Sequence, residues 1–340
     1  MIRLSICMAT LNRAAFIGVM IDSILSQMPE DVELVIVDGA STDGTDQVIA
    51  ARFALRPNCH YHRLDKKGGV DQDYCRAVSF AHGEFCWLMP DDDLLLPGAI
   101  ATVLAHLHDE PDLVVVNAEI ADIDLQSILV PRKMHLNADL DFAPTEQAAL
   151  LVAAGNFLSY IGAVVIRRSV WEQREHVAYF GTEFIHIGVI FQTPFERFVR
   201  VLAEPLVRIR YGNGQWMSRA FDTWMFKGPG LIWGFPHLPD QAKAAVCPRE
   251  PWKNLRGVLQ MKALGCFTSQ IYREKLAERP MNVWTRLKVR AVASFPEVPF
   301  NILLSLATWF LGFFVNEFRL VYVDLQKSPF HASKRWFGKG

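Results

Sequence analysis

Short runs of consecutive apolar residues alternate with amphipathic stretches of helical length over residues 1–120. The runs are RLSICMAT, VELVIVDG, HYHRL, EFCWLM and DLVVVN. Between them, residues 15–27 place Phe16, Val19, Met20, Ile24 and Leu25 at helical spacing, and STDGTDQVIAARFA, DQDYCRAVSFAHG and residues 97–108 continue the alternation. A run that is apolar at nearly every position suits a strand covered on both faces, and such strands joined by helices pair in parallel. The pattern predicts an α/β protein built on a doubly wound, Rossmann-like, mostly parallel sheet.

Sheets of this kind receive ligands at the carboxyl ends of their strands, where the loops converge. The polar residues leaving the runs are Thr10, Asn12 and Arg13, then Asp38, Gly39 and Ser41, then Lys66, Lys67, Gly69 and Asp71, and finally Asp91, Asp92 and Asp93. These four stretches are expected to gather around one crevice.

Residues 121–225 are less regular. YIGAVVIRRSVW reads as a strand entering a helix, VRVLAEPLVRIRYGNGQW as strand pieces ending in a glycine and asparagine turn that holds Arg208, Arg210, Asn213 and Trp216, and FKGPGLIWGFPHLP as a mobile loop. From residue 226 to 340 the pattern becomes helical. Arg286, Lys288 and Arg290 precede an uncharged apolar stretch, residues 298–315, and the tail carries Lys327, Lys334, Arg335, Trp336, Phe337 and Lys339. A clean transmembrane span needs about 20 apolar residues, and Pro299 and Asn301 interrupt this one early. Basic flanks with tryptophan and phenylalanine suit a membrane surface, so the C-terminal region is expected to associate peripherally; a buried helix of a helical subdomain is the plainer reading. The expected division is a first domain over residues 1–225, made of a regular part over 1–120 and a less regular part over 121–225, followed by a helical region over 226–340.

Composition narrows this only slightly. The 340 residues, 51% apolar, suffice for one large core or two smaller ones. A formal charge of −1 offers no global field for nucleic acid, and no nucleic-acid partner is expected. The six cysteines lack CxxC spacing and read as reduced residues of a cytoplasmic protein. The apolar stretch in MIRLSICMATLNR is too short for a signal peptide.

The candidate chemistry centres on PDDDLLLPGAI. Adjacent carboxylates raise one another's pKa unless a cation neutralises them. Mg2+ or Mn2+, hard ions that bridge carboxylate and phosphate oxygens, would do so. Asp91 and Asp93 are the expected metal ligands, and Asp92 a sugar or ribose contact. Acids at the start of a helix form the plainer alternative, although three exceed what capping needs. No GxGxxG follows the first strand, which argues against a dinucleotide enzyme.

Three strings, LSICMATLNR, VELVIVDGASTDGT and GGVDQDYCRAVSFAHGEFCWLMPDDDLLLPGAI, together resemble the amino-terminal half of a family 2 glycosyltransferase with the GT-A fold. The last is most similar to the abequosyltransferase-like subgroup of bacterial O-antigen enzymes. The resemblance implies a nucleotide-diphosphate-sugar donor bordered by Thr10, Asn12 and Arg13, an acid at Asp38, a turn completed by Ser41, Asp43 and Gly44, and a metal and diphosphate site at Asp91 and Asp93. Two departures stand out. Gly39 lies where many relatives carry a second acid facing the nucleobase, which leaves the base open. Tyr74 lies where many carry arginine, which leaves the diphosphate to Lys66, Lys67, Arg76 or Arg210.

The resemblance also implies inverting transfer, in which a carboxylate deprotonates the acceptor hydroxyl. Glu183, in YFGTEFIHIGVI, is the candidate, with His186 three residues on and on the same face of a helix. A helix-start carboxylate and a core histidine are the plainer readings. The expected acceptor is a lipid-linked saccharide, such as a polyprenyl diphosphate oligosaccharide, at the cytoplasmic face of the inner membrane. The alternatives are a soluble or protein acceptor, with the C-terminal helices mediating a homo-oligomer, and a nucleotide-binding subunit without turnover.

Overall fold

The computed structural model describes residues 1–54, 56–214, 219–328, 330 and 331. Trp216 and the tail residues Lys334, Arg335, Trp336, Phe337 and Lys339 lie outside the described residues.

The strands are β1 (Leu4–Thr10), β2 (Val32–Asp38), β3 (Cys59–Arg63), β4 (Phe85–Met89), β5 (Leu94–Leu95), β6 (Leu113–Ala121), β7 (Ile128–Val130), β8 (Leu140–Phe142), β9 (Val164–Arg167) and β10 (Val199–Arg210). The α-helices are α1 (Ile17–Leu25), α2 (Thr45–Phe53), α3 (Val70–Ser79), α4 (Ala99–Leu107), α5 (Gln147–Ala154), α6 (Arg168–Glu172), α7 (Ile185–Phe191), α8 (Ala220–Asp222), α9 (Gly228–Trp233), α10 (Asp240–Val246), α11 (Leu255–Leu264), α12 (Ser269–Lys275), α13 (Val283–Ser294), α14 (Glu297–Leu311) and α15 (Asn316–Lys327).

Two compact units form, and neither is a single stretch of chain. The first comprises Met1–Ala121, Pro131–Arg210 and Gly234–Val246; the second comprises Asp122–Val130, Tyr211–Trp233 and the described residues from Cys247 onward.

In the first unit the sheet order is β3-β2-β1-β4-β9-β6-β10-β5, with β8 antiparallel to β10. Every residue of β2 and of β4 is buried, the consequence of unbroken apolar runs covered on both faces. β1 pairs in parallel with β2 and β4, and β2 with β3. The short β9, read from the sequence as a strand entering a helix, inserts antiparallel between β4 and β6. Register sets the site: Thr10 pairs with Asp38, Asp38 with Arg63, and Met8 with Met89. Thr10, Asp38 and the start of the acid triplet therefore leave the sheet at one level.

The second unit is largely helical. Phe221 stacks on Phe267 at 4.8 Å within a core that also holds Trp252, Val258 and Leu264. The glycine-rich segment expected to be a loop is helical instead: Thr223–Lys227 forms a π-helical turn that continues into α9. Its Met225, Leu231 and Ile232 are buried, and burial of these side chains outweighs the low helix propensity of glycine and proline.

α14 is inside out. Its buried positions are Asn301, Ser305 and Thr308, whereas Leu303, Leu306, Trp309 and Phe310 are exposed. The Asn301 amide donates to the Ala263 and Leu325 carbonyls at 3.0 and 3.1 Å, so the buried polar face is satisfied. Among the described residues no single helix is long and apolar enough to cross a membrane; α13 and α14 pass only as a pair bent by 97°.

Candidate active site

The loop after β1 and the loop after β2 clasp each other. The Asn12 amide donates to the Ser41 hydroxyl and the Thr42 amide donates to Asn12 Oδ1, both at 2.8 Å. The Arg13 amide donates to the Thr45 hydroxyl at 2.9 Å. Asp38, fully buried, accepts from the Ser41 amide at 2.8 Å and from the Tyr61 hydroxyl at 2.7 Å, with the Arg63 guanidinium 3.8 Å away. Asp38 thus holds the turn through Gly39, whose neighbour Ala40 has φ +71°. A non-glycine residue there costs about 1–2 kcal/mol, so the network over-determines this loop.

Gly39 shows what the sequence reading missed. A Cβ at Gly39 would lie 3.3 Å from Asp73 Oδ2, and one at Gly68 would lie 2.5 Å from Asp73 Oδ1. The two glycines make room for the carboxylate of Asp73, which is buried and paired with Arg76 at 3.4 Å. Burial raises the Asp73 carboxyl above its usual range, opposed first by Arg76 and lastly by the exposed Lys67. The DQD spacing in α3 was the available signal. Gly69 starts the helix with φ +103°, a conformation that favours glycine.

Asp71 occupies the first turn of α3, and its carboxylate faces backbone amides of residues 181–185. Its Oδ2 accepts from the Gly181 and Glu183 amides at 2.8 and 3.0 Å, and its Oδ1 from the Ile185 amide at 3.2 Å. It anchors the segment that carries Glu183 and brings it to the carboxyl-end side of the sheet. Glu183 is half-buried and has φ +71°.

The pairing of Glu183 and His186 on one helix face is corrected. α7 begins only at Ile185, so Glu183 precedes the helix and the i, i+3 relation does not apply. His186 is a core residue. It is 1% exposed, its Nε2 lies 2.6 Å from the Leu158 carbonyl, and its Nδ1 has no hydrogen-bond partner among the described residues. Burial pushes its pKa down to about 4, opposed only by the Leu158 carbonyl. The unfolded chain takes up a proton near pH 6.5, before the fold does, so stability should fall as pH drops from about 6.5 to about 4, by up to about 3 kcal/mol. Urea midpoints measured across that range should show a shallower decline for His186→Gln than for the wild type.

The acid triplet follows β4. Arg13 lies 3.3 Å from Asp91 and 3.4 Å from Asp92. Asp93 accepts from the Tyr160 hydroxyl at 2.6 Å and from the Arg210 amide at 2.8 Å, and the Arg210 guanidinium donates to the Asp92 carbonyl at 2.7 Å. Arg13 and Arg210 both face the ring of Phe16, at 5.9 and 5.2 Å. Tyr74 is buried, and its hydroxyl donates to the Met89 carbonyl at 3.0 Å. Tyr160, 67 residues from Asp93, had no local sequence signal.

Burial, then Asp92, pushes the Asp91 carboxyl up to about 7, against the opposing effects of Arg13 and the nearby Thr10 hydroxyl. Burial and Asp92 also raise Asp93 well above its usual range, with Tyr160 and the Arg210 amide opposing. The cluster is therefore under-compensated as it stands, and its oxygen donors fit a hard divalent cation. All three acids are already engaged, Asp91 and Asp92 by Arg13 and Asp93 by Tyr160 and the Arg210 amide.

The family model for glycosyl transferase family 2 matches residues 5–172. The chain is 26% identical over 224 residues to the abequosyltransferase RfbV of Salmonella typhimurium, covering 62% of this chain and 67% of that protein. It is 41% identical over 117 residues to a PGL/p-HBAD biosynthesis glycosyltransferase of Mycobacterium bovis, covering 32% of this chain and 44% of that one. Over other curated relatives the chain spans less than half of their length, 33% in one case and 44% in another. In structure it is similar to Staphylococcus aureus TarS 1–349 in complex with UDP-GlcNAc, with a TM-score of 0.55 at 15% identity over 99% of this chain and 92% of that one. It is also similar to the mannosyltransferase PcManGT of Pyrobaculum calidifontis in complex with GDP-Man and Mn2+, with a TM-score of 0.52 at 18% identity over 99% of this chain and 88% of that one.

Proposed function

The chain belongs to the family 2 glycosyltransferases through residues 5–172 and has their GT-A fold, and on that premise we propose that it transfers a sugar, with inversion, from a nucleotide-diphosphate sugar to a hydroxyl of a lipid-linked saccharide in bacterial surface polysaccharide synthesis. The observation that carries the reading is the acid triplet at the level of Thr10 and Asp38, with Arg13 and Arg210 drawn against it.

In this reading the clasped loops of Asn12, Ser41 and Asp38 receive the nucleoside, with Asp73 supplying the carboxylate that Gly39 lacks. Asp91 and a second acid of the triplet, Asp92 or Asp93, would hold Mg2+ or Mn2+, and a bound ion would neutralise the developing charge on the diphosphate. Arg13 and Arg210 add cationic donors on the same side, which answers the replacement of arginine by Tyr74. Asp93 positions the loop by tying it to Tyr160 and to the end of β10. Glu183 accepts the proton of the attacking hydroxyl, and inversion follows from a single displacement. The exposed apolar side of α14 supports a membrane-held acceptor.

The test is nucleoside diphosphate release from a panel of nucleotide sugars, with Mg2+ or Mn2+ and a membrane lipid extract as acceptor. One donor should be turned over only with metal, and Asp91→Asn should lower kcat/KM by about a hundred-fold or more. Metal-independent turnover that survives Asp91→Asn would refute the assigned mechanism.

A further inference from the structure

The opposite end of the sheet carries a second set of metal-ligating side chains. Glu33 lies near the start of β2 whereas Asp38 ends it, so the two are separated by about 16 Å along the strand. Glu33 is 1% exposed. Its Oε1 accepts from the Ser5 hydroxyl at 2.5 Å and from the His82 amide at 2.6 Å. Its Oε2 faces two imidazole nitrogens, His82 Nδ1 at 3.1 Å and His60 Nε2 at 3.3 Å. The three ligand atoms all lie within 4.8 Å of one another.

We propose that Glu33, His60 and His82 form a binding site for a divalent transition metal, best suited to Zn2+, separate from the donor site. A tetrahedral shell with metal–ligand distances of about 2.05 Å places neighbouring ligand atoms about 3.3 Å apart, close to the separation that Glu33 Oε2 already has from each of the two imidazole nitrogens. Two imidazoles and one carboxylate are a zinc donor set, unlike the all-oxygen triplet at the other edge. The imidazole planes are tilted by 60° with centroids 5.9 Å apart, so the rings do not stack.

The site is pre-built. Ser5 orients the carboxylate and also accepts from the Gly83 amide at 2.8 Å, which fixes the turn that carries His82. A Cβ at Gly83 would lie 2.6 Å from the Ser5 hydroxyl, so only glycine fits there. The His82 side chain is 70% exposed, which leaves a coordination position for water or an incoming ligand. A bound ion would join β2, β3 and the turn between α3 and β4.

The test uses the full chain without a histidine tag, loaded with Zn2+ or Co2+ and freed of loose metal. Metal analysis should find a single tightly held equivalent, and Co2+ should give the intense visible bands of a tetrahedral site. At about a hundred-fold excess over its dissociation constant, Zn2+ should raise the melting temperature by roughly 5–10 °C. All three signals should disappear in His60→Gln/His82→Gln and persist in Asp91→Asn. His82→Gln alone, at an exposed position, should weaken binding without loss of fold. Equal zinc content and equal thermal shift in the wild type and the double variant would overturn the proposal, as would octahedral Co2+ spectra.

Discussion

Glu183→Gln is expected to lower kcat by about 10²–10⁴ while leaving the donor dissociation constant nearly unchanged. The reason is geometric. Glu183 has φ +71°, and Gly181 two residues before it has φ +84°, so two residues of this three-residue segment are left-handed. Its amide is fixed by the Asp71 carboxylate across a separation of 112 residues. A non-glycine side chain in that conformation costs about 1–2 kcal/mol, and such strain is typically retained where a side chain has a task. The same strain provides a control. Glu183→Gly should be as inactive as Glu183→Gln yet keep the fold, because glycine adopts the turn without penalty. Donor affinity would be read by calorimetry and turnover by diphosphate release. A Glu183→Gln enzyme with wild-type kcat would remove the residue from the mechanism. Asp71→Asn should lower kcat in the same direction but less, since it loosens the turn and keeps the carboxylate of Glu183.

Replacing Leu303, Leu306 and Phe310 together by aspartate is expected to reduce partitioning onto anionic vesicles by on the order of a thousand-fold, since each large apolar side chain contributes roughly 1.5–3 kcal/mol when buried. These residues are 70%, 62% and 59% exposed, and Trp309, Phe313 and Phe314 extend the same apolar surface. A helix that buries asparagine, serine and threonine and exposes leucine and phenylalanine has its amphipathicity reversed relative to a surface helix of a soluble protein. α14 has 15 residues, about 22 Å of helix, too short for the roughly 30 Å hydrocarbon core, so the geometry suits lying in the interface. The substitutions fall on exposed positions, so the fold should survive, as circular dichroism would verify. Vesicle flotation is the measurement. Equal flotation of the variant and the wild type would exclude this face as the membrane contact, and concentration-dependent self-association abolished by the same changes would assign it to a dimer.

Some of the architecture was readable along the chain and some was not. The runs RLSICMAT, VELVIVDG and EFCWLM became β1, β2 and β4 because strands buried on both faces cannot alternate polar and apolar residues. The antiparallel insertion of β9 was not readable, since strand direction depends on which neighbour it meets. FKGPGLIWG misled through composition: glycine and proline punctuate isolated chains, yet here tertiary burial makes the segment helical. At the site, the acid triplet was visible as a charge problem at a strand end. Its solution was not, because Arg13, Tyr160 and Arg210 reach it from distant parts of the chain.

The sequence by itself determined the alternation of strands and helices over residues 1–120, the edge of the sheet where polar loops gather and the residue types available there. Hydrophobic periodicity and local turn chemistry act over a few residues, and they suffice for that much. Only the tertiary structure decided how the carboxylates divide their work. Asp91 lies beside Arg13, Asp93 is tied to Tyr160 and Arg210, Asp71 anchors Glu183, Asp73 fills the space above Gly39, and His186 withdraws into the core. A carboxylate's role follows from its burial and from the donors that face it, and residues far apart in the chain supply both.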